Sequence, residues 1–188
     1  EKNLLGKDAM TLAKENGSKE FLNFMKFREK QLIESLSFAI ENNLKDVFDR
    51  LIKEDLDLNI TSKSGEGLIV KAVKSNNKYF VAKLLEKNVD IINKKIIFLA
   101  IDKPEILSIL IDKKASLEEK DKNLDTALIY ATKLSKTEVA KLLVEKGAKV
   151  EVKDLKGKNL IDLAFETGNN DLLNFYLDKG LEININNK

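Results

Sequence analysis

Residues 121–150 read DKNLDTALIYATKLSKTEVAKLLVEKGAKV, and this stretch decides the fold. Thr126 stands where a hydroxyl can accept from the free amides of a first helical turn, opening a short helix through Thr132. After a turn, a longer helix runs from Thr137 or Glu138 to Lys146, and Gly147 closes it by admitting a left-handed residue. Val139, Ala140, Leu142 and Leu143 fall on one side of that second helix, with Glu138, Lys141 and Glu145 on the other. Spacing of this kind, at a period near 3.6, predicts a helix that buries a single face.

The same unit recurs along the chain. Ala13, Ala39, Ala72, Ala100, Ala131 and Ala164 each precede a short polar break and a second apolar run, and all but Ala72 follow an apolar residue. Their separations are 26, 33, 28, 31 and 33 residues. A recurrence centred on 33 means one supersecondary unit copied six times, and such units bury their apolar faces by stacking into a solenoid. The expectation is a single all-α repeat domain over 1–188, with approximate repeats 3–31, 32–61, 62–92, 93–120, 121–153 and 154–188. Its use would be a surface for binding.

The fifth copy resembles the ankyrin repeat, with T-A-L-I at 126–129 where that family has T-P-L-H. The sixth copy keeps Asp154, Gly157, Asn159 at the cap, Leu160, Ala164, Gly168, Leu172 and Gly180; the first keeps Gly6, Asp8 at the cap, Leu12, Ala13, Gly17 and Phe21. The second (Leu36, Ala39, Val47, Phe48, Leu51) and the third (Gly65, Ile69, Ala72, Val81, Leu84, Leu85) align less fully. The resemblance implies short helix pairs joined by β-turn fingers. A generic helix-hairpin solenoid of 34-residue repeats competes, but the glycine pattern and the short first helix favour the ankyrin type. At the family's histidine position stand Thr11, Ser37, Val70, Phe98, Ile129 and Asp162, so this array is expected to be held more by apolar contact than by a polar network.

Two copies are shortened. The third-to-fourth interval loses its length between Asp90 and Ile96, where a finger would project, and the next interval loses it in the turn 102–105. Pro104 suits the first turn of the helix that follows. The first interval likewise lacks a full finger, around Phe27 to Gln31.

Composition narrows the chemistry. The chain has neither cysteine nor histidine, which removes disulfides, thiol nucleophiles, imidazole or thiolate metal sites and histidine general bases. No enzyme activity and no cofactor are expected. Thirty-three basic residues nearly balance 31 acidic ones, and only Arg28 and Arg50 are arginines. A net charge of +2 gives little global attraction to nucleic acid, and bidentate phosphate recognition leans on arginine. The longest strongly apolar run, 96–101, is far below the roughly 20 residues that span a bilayer, so no membrane insertion is expected. The chain opens on Glu1 without methionine or an apolar signal segment, so the natural N terminus is expected to have been removed. The compartment stays open, cytoplasmic or exported. Richness in lysine, asparagine and isoleucine suggests an AT-rich bacterial source.

On the short helix of each copy the alanine and its successor face the core, so the residue before the alanine and those two or three after it share the opposite, concave side. That stripe reads Leu12, Phe38, Lys71, Lys74, Leu99, Tyr130, Lys133, Leu134 and Leu163, with Glu41 and Glu166 among its charges. In the resembled family this face and the finger tips are the usual partner surface, which adds Lys63, Lys122 and Lys156. The candidate partner-binding residues are therefore Phe38, Lys63, Lys74, Leu99, Lys122, Tyr130, Lys133 and Leu134. Tyr130, Leu134 and Leu99 are the expected anchors, with Lys74 and Lys133 as flanking charges. Aromatic and aliphatic anchors rimmed by charge are the chemistry of a protein interface. The expected function is noncatalytic binding of another protein by a monomer; the alternative is an inhibitory or protective partner that occludes a particular enzyme or toxin.

Other constellations carry less. Asp121, Asn123 and Asp125 imitate the start of a calcium loop, but Thr126 stands where glycine is needed and Thr132 where the bidentate glutamate is needed. They are read as a repeat turn leading into a cap. Gly65 and Gly67 lack the third glycine of a dinucleotide fingerprint.

Overall fold

The computed structural model describes residues 19–54, 56–91 and 95–182. Expectations that fall on the first copy at Gly6, Asp8, Leu12, Ala13 and Gly17 lie outside them. Ten helices and no strand occur among the described residues, as the all-α reading requires. They gather into two compact units, one ending at Ser75 and one beginning at Asn76.

The first unit holds α1 (Lys19–Glu41), α2 (Lys45–Leu51) and α3 (Leu68–Lys74), with α1 packed against both of the others. Its core gathers Ile33, Leu36, Ala39, Phe48, Leu68, Ile69 and Ala72, all closed to solvent. The expected boundary between 31 and 32, and the abbreviated finger around Phe27 to Gln31, fall inside α1, which runs unbroken for 23 residues. No glycine or proline interrupts its sequence, and leucine, methionine, lysine, glutamine and glutamate sustain helix, so one long helix replaces a helix, a turn and a helix.

The second unit holds α4 (Lys78–Glu86), α5 (Ile96–Leu99), α6 (Pro104–Asp112), α7 (Ala127–Lys133), α8 (Thr137–Glu145), α9 (Leu160–Glu166) and α10 (Asn170–Asp178). The longer helices α4, α6, α8 and α10 lie side by side in chain order, α7 stacks on α9, and the pairs α7–α8 and α9–α10 close as hairpins. This is a two-layer stack of helix pairs. Ala100, Ala131 and Ala164 are each fully buried, their small side chains taken up in the packed interior of the stack.

Local signals act as the sequence requires. The Thr126 hydroxyl accepts from the Ile129 amide at 3.4 Å, and Asn159 accepts from Asp162 at 2.9 Å while Asp162 accepts from the Asn159 amide at 3.1 Å, a reciprocal cap. Pro104 opens α6. Left-handed residues recur at three places per repeat: between the helices (Asn43, Asn76, Ser135, Gly168), after the second helix (Asn88, Lys114, Gly147, Gly180) and in the finger (Gly65, Leu124, Gly157). The fingers at 62–67 and 121–126 close with antiparallel bridges, Thr61 to Gly67 and Lys120 to Thr126.

Two expectations about facing are corrected in the last repeat. Leu163, expected on the open stripe, is buried, and Phe165, expected in the core, is 74% exposed. The successor of the alanine packs on the following repeat, as Thr132 does on Tyr176, and among the described residues no repeat follows α9 and α10.

Candidate protein-binding surfaces

In the second unit Tyr130 and Leu134 stand four residues apart, at the middle and the C-terminal cap of α7. That separation brings them onto one side of the helix. The Tyr130 ring is half-buried because its edge meets Phe98 of α5, with centroids 5.8 Å apart and planes at 80°, while Leu134 is 46% exposed. Leu99 is half-buried at the end of α5, and its carbonyl accepts from the Lys103 ammonium at 3.0 Å. Tyr130 is thus tied to the α5 repeat through Phe98. Lys122 lies exposed on the finger before α7.

The finger is built by one carboxylate. Asp121 Oδ1 accepts from the amides of Asn123 (2.7 Å) and Asp125 (3.0 Å). Asp154 repeats this in the next finger, accepting from Lys156 (2.9 Å) and Lys158 (3.0 Å). The calcium-like run is therefore an Asx turn, and no group of acidic residues is placed to hold a metal ion among the described residues.

Lys133, expected as a flanking charge, has its ammonium between two carboxylates: Asp125 at 2.8 Å and Asp154 at 3.0 Å. Both acids are nearly closed to solvent, and the lysine side chain is one-third exposed. Burial alone would lower the lysine pKa, but the bonds from Asp125 and Asp154 outweigh it and hold the value above the ordinary one. Burial likewise works to raise Asp154, and Lys133 with the Lys158 and Lys156 amides outweighs it, holding that carboxyl below its usual range. Beside this strut the Thr132 and Tyr176 hydroxyls meet at 2.5 Å. Copies five and six are thus joined by polar contacts between closed or nearly closed groups as well as by the apolar core.

In the first unit Phe38 is 58% exposed on α1 and borders a groove of about 710 Å³. Gln31, Glu34, Ser35 and Phe38 of α1 form one side, and Ser62, Lys63 and Ser64 of the finger form the other. The groove thus brings together two of the expected residues, Phe38 and Lys63. The Lys63 amide donates to Glu34 Oε1 at 2.5 Å, fixing the finger against the helix. Lys74 is exposed, and its ammonium pairs with Glu66. Lys71 pairs with Glu41, whose carboxyl that bond holds below the usual range.

Sequence reasoning missed Leu124 and Leu155, 50% and 68% exposed on successive fingers. Aligning the three fingers exposes the signal for Leu124: it fills the left-handed slot that Gly65 and Gly157 occupy elsewhere. For Leu155 no comparable backbone signal exists.

No helix among the described residues is long and apolar enough to cross a membrane. Comparison with curated proteins finds no match to the chain. Residues 97–187 match the family model described as ankyrin repeats in three copies, which takes in α5 to α10 and so the fourth, fifth and sixth copies. Helix pairs, buried alanines and a bridged finger are the architecture such a match requires, and residues 97–187 are an ankyrin-repeat segment.

Proposed function

We propose that the chain is a noncatalytic protein-binding module whose anchors are Tyr130, Leu134 and Leu99, with Lys122 and Leu124 on the adjoining finger. Ankyrin repeats are generally protein interaction modules, and the family supplies the class of function. The observation that carries the location is the pairing of Tyr130 with the exposed Leu134 on one side of a helix whose neighbours are tied by Lys133 and Thr132. A rigid frame lowers the ordering cost that binding must overcome. In this reading Lys133 holds the frame, and Lys122 supplies the outer charge.

The test is an affinity measurement on a partner recovered with the full chain. Tyr130→Ala combined with Leu134→Ser is expected to weaken binding by about 2 kcal/mol or more, the range of hot-spot anchors. Arg50→Ser and Lys83→Ser, on second helices, are expected to leave it within a few tenths of a kcal/mol. Unchanged affinity in a folded Tyr130/Leu134 double variant removes the assignment and moves the search to the fingers at Lys63, Lys122 and Lys156.

A further inference from the structure

Three phenylalanines stand exposed on α1: Phe24 at 60%, Phe27 at 62% and Phe38 at 58%. At 100° per residue they project within about 60° of one another, with Gln31 and Ser35 between them. Ile33, Leu36, Ser37, Ala39 and Ile40 take the other side, where α1 is buried. The stripe Phe24, Phe27, Gln31, Ser35, Phe38 therefore lies away from the face that α1 buries from Ile33 onward. Exposed apolar surface of this extent marks an interaction site.

The order of residues along the stripe indicates what covers it. Phe24 and Phe38 lie seven residues on either side of Gln31. If a second α1 is laid antiparallel with the two Gln31 residues opposed, each Phe24 meets Phe38 of the other copy, and Phe27 meets Ser35. A twofold relation brings equal flanks together, and on one flank Lys30 then faces Glu34 of the other copy, twice. Lys30 and Lys63 carry no ion pair of their own among the described residues. Gln31 opposed to itself is also self-complementary, since an amide side chain both donates and accepts. The groove between α1 and the Ser62–Ser64 finger, which Gln31, Ser35 and Phe38 line, borders the C-terminal half of this stripe and leaves room beside it for the second helix.

We infer that α1 is a homodimerisation helix, pairing antiparallel with α1 of a second copy of this chain about Gln31. This departs from the monomer expected from the sequence, and it is independent of the partner surface proposed on the second unit.

The chain contains no cysteine, so single introduced cysteines report the geometry without background. Under mild oxidation of the full chain, Gln31→Cys is expected to form an intermolecular disulfide far more completely than Arg50→Cys. Phe24→Cys mixed with Phe38→Cys should cross-link to each other in preference to themselves. Sedimentation equilibrium should show a concentration-dependent dimer whose dissociation constant rises at least roughly tenfold on Phe24→Ser with Phe27→Ser, with helical content unchanged. Lys30→Glu should weaken the dimer more than Lys30→Ala does, because it sets like charges opposite each other. A wild-type chain that stays monomeric at several hundred micromolar overturns the inference. So does a dimer that ignores these substitutions, or one in which Gln31→Cys cross-links no better than Arg50→Cys.

Discussion

The Thr132 and Tyr176 hydroxyls lie 2.5 Å apart, both closed to solvent, and join α7 of one repeat to α10 of the next. Thr132 Oγ1 donates to the Leu128 carbonyl at 2.8 Å, so in this chain of bonds Tyr176 donates to Thr132. The arrangement is asymmetric. Tyr176→Phe leaves Thr132 with its acceptor, whereas Thr132→Val leaves a buried phenol with nothing to donate to. Tyr176→Phe is expected to cost about 1 kcal/mol and Thr132→Val about 2 kcal/mol in urea unfolding. Equal costs, or the reverse order, would show that Tyr176 has a second acceptor.

Tyr176 also sets an alkaline limit. Burial opposes its ionisation more than the Thr132 bond favours it, and the phenol is pushed up from 10.0 to about 12. Below pH 10 it is protonated in both states and the stability it supports is complete. Between about pH 10 and 12 the unfolded chain releases the proton while the native chain keeps it, so stability falls with rising pH, by roughly 3 kcal/mol in total. The readout is the difference between wild type and Tyr176→Phe in melting temperature from pH 9 to 12, which cancels every ionisation that the two proteins share. Parallel curves for the two proteins would sink the prediction.

Lys133 ties the two fingers through Asp125 and Asp154, and removing it leaves two nearly buried carboxylates without a cation. Loss of one partner from a buried pair typically costs about 3 to 5 kcal/mol; with a third of this lysine in water, Lys133→Met is expected to cost roughly 2 kcal/mol at neutral pH. Asp154 fixes the sign at low pH. Its native pKa lies below the ordinary 3.8, so the stability it supplies is present above that value and is lost as pH falls through the lowered one. In Lys133→Met the acid limb of the stability curve should flatten. An acid transition identical to wild type would exclude the strut from the acid response.

The repeat was legible wherever a single residue type performs a local task. Ala39, Ala72, Ala100, Ala131 and Ala164 are all fully buried at the positions their spacing marks, and Thr126 and Asn159 cap the helices they precede. Long-range polar partners were not legible. Nothing in a lysine at 133 announces that its two carboxylates come from Asp125 and Asp154, because stacking, not spacing, brings the fingers together. The fused α1 escaped for the opposite reason: a regular period invites a break near Gln31, while the local sequence contains no residue that would make one.

Leu124 is the remaining departure from the repeat, and its consequence can be tested. Its φ of +58° is a conformation that costs a branched side chain about 1 kcal/mol more than glycine, and glycine holds the same slot at Gly65 and Gly157. Packing recovers little of that cost, because the side chain is 50% exposed. Leu124→Gly is therefore expected to raise stability by about 0.5 to 1 kcal/mol, and Gly157→Leu to lower it by about 1 kcal/mol. Under the proposed partner surface, Leu124→Gly would at the same time weaken partner affinity, since the side chain shed is an exposed apolar one beside Tyr130's helix. Denaturant unfolding of the two variants decides the first claim: a destabilised Leu124→Gly chain would mean that the leucine is held by contacts stronger than its exposure implies, and that the finger at 121–126 depends on them.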